Sequence, residues 1–178
     1  MVSQNLSIHR AIQEDASIIA NLGARTFEAS FGTQNRPEDM EQYLASSFST
    51  EQIEAEIADP ASTFLLAHEK GEAIGYAMLL DGKSPNSVNG PRPVELVRIY
   101  VEQEAIGRGY GSALMNACLE TAESNGNRTI WLGVWERNEQ AMGFYEKWGF
   151  AKVGVKEFVL GSDLQTDLIM ERPVKLLA

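Results

Sequence analysis

Apolar and polar positions change period several times along the chain, and each change marks an element. Residues 7–12 alternate weakly and read as a first strand. Residues 14–31 carry Ile18, Ile19, Leu22, Phe27 and Phe31 at helical steps. Pro37, followed by Glu38 and Asp39, opens a second helix, since Pro needs no amide partner there and acids complement the helix dipole. Ser49 and Gln52 make a capping pattern for a third helix, which Pro60 stops. Residues 62–68 and 72–80 flank Lys70-Gly71 as the two arms of a hairpin. Residues 81–93, rich in Gly, Pro, Asn and Ser, form a loop for which a mobile flap is one role.

The second half is more regular. Residues 94–101 are almost continuously apolar and β-branched, the pattern of a strand buried on both faces. Residues 109–125 are helical, with Leu114, Ala117, Cys118 and Thr121 as the inward stripe. Residues 129–134 form a strand, and 138–148 a helix whose stripe is Ala141, Phe144, Tyr145 and Trp148. Gly149 suits a left-handed helix cap, with Phe150 as the hydrophobic contact that follows. Residues 152–160 and 166–170 are the last strands. Short connections between strand, helix, strand and helix imply a right-handed crossover and parallel pairing of 94–101 with 129–134. No internal repeat is present, and 178 residues suit one mixed α/β domain spanning 1–178.

Charge narrows the partners. With 15 Lys and Arg against 25 Asp and Glu, the formal charge is −10, which argues against nucleic acid because phosphate binding needs a basic face. One cysteine excludes an intrachain disulfide and a Cys-based zinc site, so no metal is expected. Residues 1–10 lack the basic and apolar regions of a signal peptide, and no apolar run is long enough to span a bilayer. A cytoplasmic protein with no membrane partner is the expectation. Residues 38–59 hold seven acids and no Lys or Arg, which reads either as solvated helix faces or as a cation-binding surface.

The densest chemical signal is Ile106-Gly107-Arg108-Gly109-Tyr110-Gly111-Ser112, between a strand and a helix. Closely spaced glycines let backbone amides approach a phosphate, and the helix N-terminus adds partial positive charge. Arg108 offers a full charge to the same anion. A dinucleotide-binding unit is one interpretation, but its G-x-G-x-x-G spacing fails at Ser112 from Gly107 and at Leu114 from Gly109. Such a unit also usually opens its domain, whereas 93 residues precede this strand.

The other interpretation is coenzyme A pyrophosphate binding. Here the sequence resembles the GNAT family of N-acetyltransferases, whose first motif is Arg/Gln-x-x-Gly-x-Gly/Ala after a strand, with Gly109 and Gly111 at the glycine positions. Ile106 stands where the family usually has Arg or Gln, so that side-chain contact does not carry over while the backbone cradle does. The second motif matches as Asn138-x-x-Ala141-x-x-Phe144-Tyr145-x-x-x-Gly149-Phe150. The stretch Trp131 through Glu139, with Gln165 through Met170, Gln34 through Met40, Tyr43, Leu44 and Phe48, is similar to the bacterial PaiA-type spermidine/spermine acetyltransferases. The resemblance implies the GNAT fold, a central mixed sheet flanked by helices. It also implies acetyl-CoA as co-substrate and a primary amine acceptor such as spermidine or spermine, and it leaves a homodimer open. Other acceptors (a protein N-terminus, a lysine, an antibiotic amine) and a non-catalytic coenzyme sensor are the alternatives.

Acetyl transfer needs a positioned thioester, an amine base, an oxyanion donor and an acid for the thiolate. Cys118, in an apolar stripe, reads as an inert core thiol, and His9 and His68 join no triad, so direct attack is expected. The resemblance makes Tyr145 the acid, a role open to a phenol with pKa about 10. Glu95, a charge in an apolar strand, is the base candidate, acting through a water, with a water relay as the alternative base; an ion pair with Arg98 or Arg92 explains the charge equally. By resemblance the Val101 amide is the oxyanion donor, within a strand end of Ile99, Tyr100 and Val101 that meets the coenzyme. The phosphates fall to Gly107, Arg108, Gly109, Tyr110, Gly111 and Ser112. Asn138 is a helix N-cap that by resemblance also contacts the coenzyme, and Lys147 reaches its phosphates or is simply solvated. Trp131 and Trp135, alternating with Gly133, read as packing.

Overall fold

A computed structural model describes residues 5–175. In chain order the elements are β1 (Leu6–Arg10), α1 (Ala16–Phe31), α2 (Pro37–Ser47), α3 (Thr50–Ala58), β2 (Ser62–Glu69), β3 (Glu72–Asp81), β4 (Pro93–Val101), α4 (Tyr110–Ser124), β5 (Thr129–Trp135), α5 (Glu139–Lys147), β6 (Ala151–Leu160) and β7 (Asp163–Pro173). The seven strands make one sheet in the order β1-β2-β3-β4-β5-β7-β6. Of the N-terminal stretch read as lacking a signal peptide, residues 1–4 lie outside the described residues. Among the described residues no helix is long and apolar enough to cross a membrane.

Local chemistry explains the element ends. Lys70 and Gly71 have φ of 52° and 87°, a two-residue turn whose twist suits the β2–β3 hairpin. Ser49 Oγ accepts from the Gln52 amide at 3.2 Å and caps α3. At the end of α5, Gly149 takes φ 86°. Arg172, only 3% exposed, donates to the Trp148 carbonyl there at 2.6 Å, so a buried cation meets the negative end of the helix.

One face of the sheet packs on α4 through Leu65, Ala77, Leu79, Val94, Leu96, Ile130 and Leu132, with α5 alongside. The inward stripe of α4 is Leu114, Met115, Cys118, Leu119 and Ala122; Ala117 and Thr121, expected within it, are only half-buried. The opposite face packs on α1 and α3 through Phe64, Leu66, Tyr76, Met78, Ile19, Leu22 and Ile53. Ile18, expected in the helical stripe, is 44% exposed.

Two irregularities in β4 shape the site. Met78 pairs with Arg98 but Leu79 pairs with Leu96, so Val97 is an extra residue in a β-bulge. The bulge flips side-chain parity: Val94, Leu96, Ile99 and Val101 face α4, whereas Val97 and Tyr100 face α1. The expected parallel pairing with β5 holds, but only from Pro93↔Thr129 to Glu95↔Trp131. Beyond it β4 stays with β3 and β5 stays with β7, leaving a gap between them. A single parallel pair in a mixed sheet is not a doubly wound dinucleotide fold.

The loop at 82–92 is anchored to the sheet at several points. The Asn89 amide donates to Glu171 Oε2 at 3.0 Å and Thr129 Oγ1 to the Pro91 carbonyl at 2.9 Å. Ser87 lies over Gly154, whose missing Cβ leaves room for it.

Two of the seven acids at 38–59 are internal fasteners. Asp39, 3% exposed, accepts from the Ser162 amide and hydroxyl at 2.7 Å and from Arg36 Nε at 2.9 Å, joining α2 to the β6–β7 turn. The Ser162 bonds, with Arg36 adding to them, hold its carboxyl down to about 2. Glu56 accepts from Arg98 Nη1 at 2.7 Å and Nη2 at 3.2 Å, joining α3 to the bulged strand.

Candidate active site

The gap between β4 and β5 opens into a cavity of about 900 Å³ that connects both faces of the sheet. On the α4 side, Ile106, Gly107, Gly109, Gly111 and Ser112 line it. Gly107 and Gly109 have φ of 83° and 88°, the left-handed region that favours glycine. No side chain caps α4, and its first intrahelical bond is Ala113 N–H to the Gly109 carbonyl at 3.0 Å. The amides of Gly111 and Ser112 therefore end in orphan donors at the cavity rim, backed by the dipole of a 15-residue helix. That donor set fits a pyrophosphate, so the residues present suit coenzyme A.

The side chains of the loop behave differently. Arg108 Nη2 lies 3.2 Å from Glu69 and stacks on the Tyr110 ring, while the Tyr110 hydroxyl also donates to Glu69. Neither residue lines the cavity. Glu69 thus anchors the loop from β2, and Arg108 is engaged there, outside the cavity lining. Asn138 lines the cavity and caps α5 by accepting from the Ala141 amide at 3.1 Å. Lys147 is exposed in the last turn of α5, outside the cavity lining, where it complements the helix dipole.

Ile99, Tyr100 and Val101 line the gap itself. The Glu102 amide donates to Ile74 on β3 at 2.8 Å. Alternation along the strand turns the Val101 and Ile99 amides the other way, toward the gap. Tyr145 faces them from α5, its ring 5.5 Å from Phe144 and 5.7 Å from Phe150. Burial, with Cys118 nearby, raises its phenol above the ordinary range, and its hydroxyl makes no hydrogen bond among the described residues. Burial pushes the Cys118 thiol up to about 12, so it supplies no thiolate near neutrality. His9 and His68 stack on each other at 5.1 Å, away from the cavity.

On the opposite face Glu95 lines the cavity, and its ionic partner is neither Arg98 nor Arg92. Arg98 is committed to Glu56, and Arg92 lies against Gly126. Lys156 on β6 fills the role, its Nζ 3.8 Å from Glu95 Oε1 and 5.5 Å from the Trp131 ring centre. Its side chain crosses over Gly133, where a Cβ would stand 2.5 Å from Lys156 Cε and 3.3 Å from Asp167 Oδ2. Burial raises the Glu95 and Asp167 carboxyls above the usual range, with Lys156 opposing in both cases. Phe27, Phe31, Tyr43, Trp135 and Phe158 wall this compartment, Phe27 and Tyr43 at 4.8 Å and Tyr43 and Phe158 at 5.5 Å. None of the seven acids at 38–59 lines it.

Lys156, Asp167 and the aromatic wall are absent from the residues expected from sequence. Trp135 was readable only as packing, and Lys156 with Phe158 is a period-two pair on an otherwise ordinary strand. The glycine between two tryptophans was the available signal, since such a glycine marks a close approach by another chain segment.

Comparison with known proteins agrees with this geometry. The acetyltransferase (GNAT) family profile matches residues 25–150. An uncharacterized N-acetyltransferase of Lactobacillus delbrueckii subsp. lactis is 32% identical over 167 residues, covering 94% of this chain and 96% of the relative. Another, of Mycobacterium tuberculosis, is 34% identical over 158 residues, covering 89% and 97%. Among solved structures, the PaiA N-acetyltransferase of Thermoplasma acidophilum in complex with coenzyme A is similar in fold, with TM-score 0.76, 20% identity and coverage of 94% and 98%. The spermidine N-acetyltransferase of Vibrio cholerae in complex with CoA and spermine is similar at TM-score 0.69, 22% identity and coverage of 96% for both chains.

Proposed function

Since this chain belongs to the acetyltransferase (GNAT) family, we propose that it transfers the acetyl group of acetyl-CoA to a primary amine by direct attack, with a polyamine such as spermidine as the acceptor. The observation that carries the reading is the gap in the sheet. It joins an anion cradle on one face to a compartment of aromatic rings and two carboxylates on the other.

In this reading the amides of Gly109, Gly111 and Ser112 hold the pyrophosphate, and the coenzyme's thioester arm lies against Ile99 to Val101. Glu95 takes a proton from the incoming ammonium, and its raised carboxyl makes it a better acceptor near neutrality than an ordinary glutamate. The Val101 amide donates to the oxyanion, a role suited to a fixed dipole in a site shielded from water. Tyr145 protonates the departing thiolate; its raised pKa keeps the phenol neutral and ready to donate.

The aromatic wall supports a cationic acceptor, because ring faces attract ammonium groups. Glu95 and Asp167 supply the carboxylates a cationic acceptor needs, and the acids at 38–59 lie outside the lining. The test measures CoA release with acetyl-CoA and a panel of spermidine, spermine, a monoamine of similar length, lysine, a peptide and an aminoglycoside. Polyamines should give the highest kcat/KM. Preference for the peptide or aminoglycoside would overturn the acceptor and keep acetyl transfer; no CoA release with any amine would overturn both.

A further inference from the structure

We propose that Lys156 is a self-acetylation site, its ε-amine serving as an intramolecular acceptor when no free amine occupies the compartment. The proposal rests on the acetyl-transfer reading above and concerns an amine the chain itself supplies.

Four observations place that amine where an acceptor belongs. Its Nζ is 3.8 Å from Glu95, the group assigned to deprotonate the acceptor. It lines the same cavity as Tyr145 and the Val101 strand end. It sits 5.5 Å from the Trp131 ring centre, the contact expected of a bound ammonium. Gly133 leaves the path open, since any Cβ there would meet the lysine's terminal carbon. Lys156 also lies on an edge strand paired only with β7, and its side chain is one-third exposed, so it is not locked in a dry core.

The step balances without a further reactant beyond acetyl-CoA. Glu95 takes one proton from the Lys156 ammonium, and the neutral nitrogen attacks the thioester carbonyl to form a C–N bond. The C–S bond breaks as the oxyanion collapses, and the second nitrogen proton leaves to solvent. Tyr145 protonates the thiolate and regains its proton from solvent, and Glu95 sheds its own. The products are acetyl-lysine, CoA and one proton. The ammonium facing Glu95 and Asp167 is then a neutral amide.

The experiment incubates the full chain with acetyl-CoA and no added amine, following intact mass and peptide mapping, while the amine panel is run on the same preparation. The expected result is one acetyl group per chain on Lys156, with a rate constant unchanged on ten-fold dilution. Lys156→Arg, which keeps the charge, should gain none there, and Tyr145→Phe and Glu95→Gln should slow the gain at least about ten-fold. Circular dichroism checks that each variant folds. No acetyl on Lys156 while the panel shows turnover would overturn the proposal and leave the function standing. Equal labelling of Lys152 or Lys147, or labelling unaffected by Tyr145→Phe and Glu95→Gln, would mean unassisted chemical acetylation and overturn it. A rate proportional to protein concentration would place the reaction between chains and overturn it too. Neither labelling nor panel turnover would remove the proposal and the function together.

Discussion

Replacing Tyr145 by Phe removes one hydroxyl from a ring that packs 5.5 Å from Phe144 and 5.7 Å from Phe150. Because that hydroxyl makes no hydrogen bond among the described residues, the change forfeits no bond worth about 1 kcal/mol. At roughly 2–4 °C per kcal/mol for a domain of this size, Tm should stay within about 2 °C of the parent. Catalysis should respond otherwise. Loss of a positioned proton donor is expected to lower kcat by roughly 10- to 1,000-fold, about 1.4–4 kcal/mol of barrier. Coenzyme affinity should hold, since the proposed pyrophosphate cradle is on α4. Burial raises the phenol pKa, so Tyr145 stays protonated through neutrality and sets no alkaline limb there. The assay combines CoA release at saturating amine, calorimetric CoA binding and thermal unfolding. An unchanged kcat would return Tyr145 to a packing role, and a kcat loss matched by a large fall in Tm would mean the site had been damaged rather than its acid removed.

Gly109→Val puts a β-branched residue at φ 88°, with strain of about 1–2 kcal/mol and a side chain in the anion's path, so CoA affinity should fall at least about ten-fold while the sheet's circular dichroism persists; undiminished CoA binding would refute the cradle. Lys156→Met removes the cation beside Glu95, whose carboxyl then rises further, so the acidic limb of kcat/KM should move to higher pH; no movement, or movement downward, would refute the coupling. Glu56→Leu strands the buried Arg98 guanidinium and should cost about 2–4 kcal/mol, a Tm loss of roughly 4–16 °C, most of which Arg98→Met added to it should restore; a double variant as unstable as the single one would refute the ion-pair account. Asp39, held at about 2, contributes stability that is complete above the ordinary carboxylate range and fades as pH drops from about 4 toward 2, so Asp39→Asn should flatten Tm against pH there; parallel curves for parent and variant would refute it.

What the sequence determined by itself is local. The hairpin at Lys70-Gly71, the cap of α3 at Ser49 and the end of α5 at Gly149 were readable because each depends on a few consecutive residues. The proposed anion cradle rests on the same kind of local signal, its donors being successive amides at one helix start. Tertiary structure decided the rest. An apolar run such as residues 94–101 has the same composition with or without a bulge, so nothing in it told that Val97 would be skipped. Pairing with β3 decided that, and with it which face Arg98 and Tyr100 take. The gap beyond Glu95 arises because β4 follows β3 while β5 follows β7, a competition between partners far apart in the chain. Asp39 and Glu56 looked like solvated acids because their partners, Ser162 and Arg98, come from distant strands. Lys156 met Glu95 only because β7 lies between β5 and β6 and Gly133 leaves its side chain room to cross. Periodicity reports which way a side chain points relative to its own neighbours; which charges become partners depends on strand order, and that is set by the packing of the whole sheet.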